Sequence, residues 1–445
     1  MLNQFNHNSG WRKEKSSNSL QESFASVHIP KDGSFKKKLF AYMGPGLLIA
    51  VGYMDPGNWA TDIAGGAQFG YALLSVVLIS NLFAILLQHL SVKLGVVAER
   101  DLAQACKDHF HPVVNFILWI FCEIAIAACD LAEVIGSAIA LNLLFGIPLS
   151  WGVVITIVDV FLILFLQSRG FRYIESIVGG LILIIFIAFF YEIFLSQPEI
   201  FPMLQGLIPQ KEIITNPSML YIAIGILGAT VMPHNLYLHS SIVQTRNYPR
   251  TTEGKKEALK FASIDSSLSL MLAFIINAAI LIIAAATFHT SGNKDVADIN
   301  DAYMLLTPLL GTTLASIFFG IALLASGQNS TLTGTLAGQI VMEGFLNIRL
   351  KPWVRRLITR VIAIVPALII SILYGEKGTA ELLVFSQVIL SMQLSFAVVP
   401  LVMFTNSKAK MGEFANKMWI KVLAIIISTI IIFLNLYLLK ETFFP

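Results

Sequence analysis

The chain has 445 residues, of which 56% are hydrophobic and 13% charged, and a formal net charge of +3; its mean hydropathy is +0.75. Ordinary soluble domains carry roughly a quarter charged residues, so this composition excludes that class and points to a polytopic membrane protein. The small net charge excludes little, because in such a chain the placement of charges matters more than their sum.

The amino-terminal stretch MLNQFNHNSGWRKEKSSNSLQESFAS is polar, rich in Ser and Asn, and lacks the apolar segment of a signal peptide. Residues 1–40 therefore read as a disordered cytoplasmic tail and 41–445 as a single transmembrane domain. Apolar runs of roughly 17–25 residues give eleven expected spans. The first, near 43–69, is interrupted at Asp55-Pro56-Gly57-Asn58. Four more lie near 71–95, 113–142, 150–168 and 173–195. The sixth, near 219–245, is interrupted at VMPHN, Val231 to Asn235, and the last five lie near 264–288, 308–326, 357–375, 379–404 and 418–439. Cys106 sits near a helix end and Cys122 and Cys129 share one apolar run, a spacing that suggests neither a disulfide nor a metal cluster.

The loops between these runs set the orientation. With the amino terminus inside, 26 of the 30 Lys and Arg residues fall on the cytoplasmic side. They include Lys36, Lys37 and Lys38, the second–third loop with Lys93, Arg100 and Lys107, and Arg169 and Arg172. The sixth–seventh loop adds Arg246 and Arg250, the eighth–ninth region Arg349, Arg355, Arg356 and Arg360, and the tenth–eleventh loop Lys408 and Lys410. Only Lys211, Lys294, Lys377 and Lys440 fall outside. That asymmetry predicts a cell-membrane protein with a cytoplasmic amino terminus and an extracellular carboxyl terminus.

Backbone in hydrocarbon must be hydrogen-bonded internally, so unwound segments survive only where they line a cavity or are buried in protein. Each interruption reads x-Pro-x-Asn, and the two occupy corresponding positions if spans 1–5 (about 43–195) and 6–10 (about 219–404) form a repeat, with the helix near 418–439 as an addition. Paired breaks of this kind point to a binding site at an inverted-repeat interface, where half-helix C-terminal ends attract cations. Pro kinks with no ligand are the plain alternative, but a kink needs neither Asp55 nor Asn58. The first break offers the Asp55 carboxylate and the Asn58 amide oxygen; the second offers the Met232 thioether and backbone carbonyls such as that of Ala229. Oxygen alone suits Ca²⁺ or Mg²⁺, whereas an added soft sulfur favours Mn²⁺, Fe²⁺, Co²⁺ or Cd²⁺. Methionine also fills apolar gaps, which is the competing explanation for Met232.

DPGN in the first span, MPHN in the sixth, and GQNSTLTGTLAGQIVMEGF at Gly327–Phe345 resemble the Nramp (natural resistance-associated macrophage protein) family of divalent metal transporters, in its bacterial eleven-span type. The resemblance runs from about Gly44 to Gln393, with Asn329 a minor departure where a small hydroxyl residue is expected. It implies an all-α, leucine-transporter-type fold with a 5+5 inverted repeat and metal uptake driven by protons. It carries the metal-ligand role onto Asp55, Asn58, Met232 and the Ala229 carbonyl, and it implies that Asn277 and Gln387 approach the ion in some states. Lone amides in membrane helices also simply bond a neighbouring helix.

The third span places Glu123, Asp130 and Glu133 on one helical stripe, and intramembrane carboxylates, costly to insert, usually mark ion or proton pathways. Arg360 is the expected counter-charge, and His234 and His239 the expected imidazole relays. Asp55 would then bind metal and accept a proton, which Asp130, Glu133 and Arg360 would pass to the cytoplasm; a purely structural salt-bridge network is the alternative. His89 and His289 read as structural, and His109 and His111 as loop residues.

Competing functions remain. A Na⁺-coupled symporter for an amino acid or other organic solute would use the same fold but gain nothing from Met232, and a Mg²⁺ carrier would need only hard ligands. A membrane metalloprotease would show His-Glu-x-x-His, and an ATP-driven pump Gly-x-x-x-x-Gly-Lys; the chain has neither. The expected partners are therefore a divalent transition-metal ion as cargo, protons and the lipid bilayer. No resident cofactor, nucleic acid or obligatory protein partner is expected.

Overall fold

The computed structural model of the protein describes residues 10–15, 17–30, 33–158, 170–294, 296, 299–348 and 351–443. Residues 1–9, Lys31, the 159–168 part of the expected fourth span, Arg169 and Arg349 lie outside the described residues, as do the side chains of Arg355, Arg356 and Lys377. The fold is built from α1 (Pro45–Gly52), α2 (Pro56–Phe69), α3 (Leu74–Lys93), α4 (Pro112–Phe145) and α5 (Phe171–Ser196). It continues through α6 (Pro217–Thr230), α7 (Pro233–Ile242), α8 (Thr252–Ala284), α9 (Thr313–Leu346), α10 (Pro352–Asn406) and α11 (Met418–Phe443). Six of these helices open on proline. At that position the missing N–H costs nothing and the fixed φ suits the helix.

Among the described residues, seven helices are long and apolar enough to cross a membrane. Where they are described, the eleven expected spans fall on helical segments. α2 and α3 run together as Pro56–Ala98, α6 and α7 as Pro217–Thr245, and Leu149–Val158 is the described part of the fourth span. The eighth span lies in α9, whose Gly327–Thr335 stretch is too polar to count as uniformly apolar. The sixth span is the centre of the bundle, with 94% of its apolar window buried, against 28% for the peripheral α11.

The ninth and tenth spans were expected as separate helices, yet helical backbone runs unbroken through Pro352–Asn406. Contacts show that this segment doubles back. Arg360 pairs with Glu133, while Leu390 shares an apolar cluster with Cys129. On α4 those two partners are about 6 Å apart, whereas thirty residues of straight helix would span about 45 Å. Its two apolar stretches, Leu357–Ile370 and Gly378–Asn406, thus make two passes.

The tail, expected to lack order, instead lies across one end of the bundle where it is described. Trp11, Leu20, Val27 and Ile29 are buried, and Trp11 packs on Phe404 under Lys410 and Arg100. Ser19 bonds Ser241 at 2.6 Å, and a short parallel pair joins β1 (Val27–His28) to β2 (Arg246–Asn247). These few large apolar residues in a polar stretch are enough to anchor it. At the same end, fully buried Arg246 donates to Glu175 at 2.8 Å and to the Met43 carbonyl at 2.6 Å, and Asp265 accepts the Gly46 N–H at 2.7 Å. Together they fix the start of α1 against α5 and α8. Replacing Glu175 with Ala strands a buried guanidinium, at a cost of about 3–5 kcal/mol. A marked fall in unfolding midpoint in detergent is expected for Glu175→Ala, with a smaller one for Glu175→Gln; equal midpoints for all three proteins would show that the network carries no stability.

Candidate cation site at the two helix breaks

The first break lies between α1 and α2. Asp55 is the N-cap of α2, with extended backbone (φ −69°, ψ 164°). Its Oδ1 accepts the Asn58 backbone N–H at 2.8 Å and the Asn58 side-chain amide at 2.7 Å. Oδ2 is buried with no hydrogen-bond partner among the described residues. One carboxylate oxygen thus folds the half-helix, and the other is left for something else. The freed carbonyls of the unwound turn have partners: Gly52 accepts from Asn58 at 3.4 Å, Tyr53 from Asn277 at 2.8 Å, and Met54 from Trp59 at 3.1 Å and Ser326 at 2.5 Å.

The second break lies between α6 and α7. Pro233 has no N–H to give the carbonyl four residues earlier, which is that of Ala229. Met232 is the N-cap residue, extended at φ −61° and ψ 121°, without a side-chain cap bond. Its thioether is fully buried in a small cluster with Ala125, Cys129 and Leu390.

Glycines bring the two breaks together. A Cβ on Gly52 would fall 2.3 Å from the Asn235 amide, so α1 ends against the start of α7. A Cβ on Gly57 would fall 1.8 Å from Gln387 Nε2, and one on Gly228 2.3 Å from the Gln387 carbonyl oxygen. Gln387 is therefore wedged between α2 and α6, with Nε2 on Ser386 at 3.0 Å and a buried Oε1 lacking a partner among the described residues. Asn277 reaches the same place, 3.5 Å from Asn58 Oδ1. No group of three or more His, Cys, Asp or Glu able to hold a metal occurs among the described residues. The donors gathered here are one carboxylate, several amides, a thioether and a backbone carbonyl.

The chain belongs to the Nramp family. The sequence model of natural resistance-associated macrophage protein-like proteins matches residues 46–441. A relative in Listeria innocua, named divalent metal cation transporter MntH, is 66% identical over 97% of this chain and 96% of its own. The crystal structure of the Eremococcus coleocola manganese transporter, in complex with an aromatic bis-isothiourea substituted compound, superposes with a TM-score of 0.89 at 44% identity, covering 96% of this chain and 91% of that one. Mhp1, a nucleobase-cation-symport-1 family transporter, matches at a TM-score of 0.59 and 14% identity over 95% of this chain and 96% of its own, which speaks to the fold alone. This Nramp chain is thus a multi-pass membrane protein of leucine-transporter-type fold with broken first and sixth helices.

Gly136 of α4 packs on Pro56, where a Cβ would fall 2.2 Å from the ring. One turn back along α4, Glu133 is fully buried, with Oε2 3.6 Å from Arg360 Nη1 and Oε1 3.7 Å from Cys129 Sγ. Asp130 and Glu133 both face Gly334 of α9, and Arg360 donates to Thr331 Oγ1 at 3.3 Å. Glu123 is only half-buried and accepts the Trp119 indole N–H at 3.0 Å. His234 is buried, and neither ring nitrogen has a hydrogen-bond partner among the described residues. His239 bonds Gln88 Oε1 at 2.9 Å, and Gln88 donates to the Tyr53 hydroxyl at 2.8 Å, which ties α7 to the first break. Gln88, Tyr53 and Asn235 were not singled out from the sequence. A glutamine inside the apolar run LFAILLQHLSV and the second Asn of the x-Pro-x-Asn pair were the available signals.

Two substitutions separate capping from binding. Ser retains an N-cap acceptor, whereas Ala loses about 0.5–2 kcal/mol at such a position. Asp55→Ser is expected to keep the unfolding midpoint close to wild type while abolishing the tighter Mn²⁺ binding event in calorimetry, and Asp55→Ala to lose both. Retention of that tighter event in Asp55→Ser would show that the carboxylate only caps.

Proposed function

We propose that this chain is a secondary active transporter that imports divalent transition-metal ions, Mn²⁺ or Fe²⁺ and also Co²⁺ or Cd²⁺, coupled to protons by alternating access, and that it discriminates against Ca²⁺ and Mg²⁺. The observation that carries the reading is the buried, unpartnered Asp55 Oδ2 at a helix break that packs against a second break. Asp55, Asn58, Met232 and the Ala229 carbonyl form the ligand set in this reading, with Gln387 and Asn277 close by. A single carboxylate gives a weak site that can release its ion, as transport requires. The thioether favours the softer cations. The names of the Listeria innocua and Eremococcus coleocola relatives support the cargo class. Symport of an organic solute finds no support, since Asp55 would repel a substrate carboxylate.

In the same reading, Asp55 accepts a proton as well as binding metal, and the buried Glu133, one helical turn from the Gly136–Pro56 contact, receives it. Asp130 and Glu123 on α4 continue the route with Arg360 of α10, and His234 and His239 serve the α7 side, His239 through Gln88. The loop charges support a cytoplasmic amino terminus, an extracellular carboxyl terminus and the cell membrane as location.

Uptake into proteoliposomes with the outside more acidic than the inside tests both parts. Wild type is expected to take up Mn²⁺ despite excess Ca²⁺, and Met232→Ala to lose that discrimination; equal competition by Ca²⁺ in both proteins would reduce the sulfur to packing. Asp130→Asn is expected to cut metal-driven proton flux at least tenfold while Mn²⁺ affinity changes less than threefold. Equal loss of both would contradict the relay.

A further inference from the structure

At the end of the bundle opposite the tail, a cavity of about 370 Å³ opens where α2 ends. Its lining includes His289, Glu199, Gln205, Gln210 and Thr290, from the ends of the α5–α6 connection and of the seventh span. His289 Nδ1 lies 2.9 Å from the Ala67 carbonyl oxygen. A carbonyl only accepts, so Nδ1 carries the proton and Nε2 keeps its lone pair in the neutral ring. That is the arrangement in which histidines hold metals, the second nitrogen anchored on a backbone carbonyl. The Cδ2–Nε2 edge of the ring lies beside Gly70, another residue of the lining. Glu199 is exposed and lines the same small space. The C-terminal carbonyls of α2 add the negative end of a helix dipole.

We infer that this cavity is a second, peripheral divalent-cation site, held by His289 Nε2 and the Glu199 carboxylate with the neighbouring amides and water completing the shell. Imidazole with carboxylate suits the Mn²⁺-to-Zn²⁺ series better than Ca²⁺ or Mg²⁺. The position along the chain gives the site its use. α2 runs from the cavity to Asp55, a path of about 20 Å for a helix of its length. About half-way along it lies Asp62, buried and with Oδ2 lacking a partner among the described residues. An ion captured at the mouth thus has cation-attracting groups about every 10 Å on the way to the break. The inference rests on the divalent-metal reading above and on the orientation that places this end outside.

Mn²⁺ binding to the purified full chain in detergent, read by loss of the free-ion electron paramagnetic resonance signal, tests it. Wild type is expected to bind two ions, one of them weakly. Asp55→Ala is expected to retain the weak ion, and Asp55→Ala combined with Glu199→Ala or with His289→Ala to bind it at least tenfold more weakly. Because His289 also tethers α2, the exposed Glu199 is the cleaner variant. One ion in wild type and none in Asp55→Ala overturns the peripheral site and leaves the central one standing. A residual ion indifferent to both Glu199→Ala and His289→Ala also overturns it. A single wild-type ion that survives Asp55→Ala and is lost with Glu199→Ala keeps this site and removes the central one.

Discussion

The missing N–H of a proline inside a membrane helix is the constraint from which the site follows. In hydrocarbon a freed carbonyl costs several kcal/mol unless something bonds it, so a buried break must be surrounded by donors or by a cation. At the first break the protein supplies donors for nearly everything: Asn58 for Gly52, Asn277 for Tyr53, Trp59 and Ser326 for Met54. What remains is one carboxylate oxygen of Asp55. At the second break, the carbonyl that Pro233 cannot serve is that of Ala229, one turn from the Met232 sulfur. Both prolines are the first residues of new half-helices, so the chain is locally well formed on either side and the cost is confined to three or four residues.

Packing then turns two local breaks into one site. The contacts of Gly52, Gly57 and Gly228 leave no room for a methyl group, and small residues are what allow membrane helices to approach this closely. Gln387 sits where α2 and α6 converge, so any movement of one half-helix relative to the other moves its amide. At the opposite pole, the Arg246–Glu175 pair and the Asp265 contact hold the start of α1, and the tail lies over the same end. A firm rim around a sparsely liganded centre is a sensible division for a protein whose cargo must leave.

Much of this was legible in the sequence because the signals were violations of membrane chemistry. Asp55, Pro56 and Pro233 stand out in apolar runs, and the structure sets Arg360 beside Glu133 as expected of a counter-charge. Other features were illegible for physical reasons. The tail looked disordered because its composition is polar, and its order depends on a few residues such as Trp11 whose partners lie some four hundred positions away. The two passes of α10 were legible as two apolar runs, and what the sequence hid is that helical backbone continues from one into the other. Gln88 is an ordinary amide in sequence, and its importance comes from its bonds to Tyr53 and His239 beside the breaks. His289 was assigned a structural part, which its Ala67 bond supports, but periodicity gives no sign of the cavity beside it.

The central claim is that one ion is shared between the two breaks, with a carboxylate from the first and a sulfur from the second. X-ray absorption spectroscopy of the protein loaded with one equivalent of Cd²⁺ reads those donors directly. The account requires a single sulfur scatterer within an otherwise oxygen shell, lost in Met232→Ala while the oxygen shell persists. An all-oxygen shell in the wild type, unchanged in Met232→Ala, would contradict it.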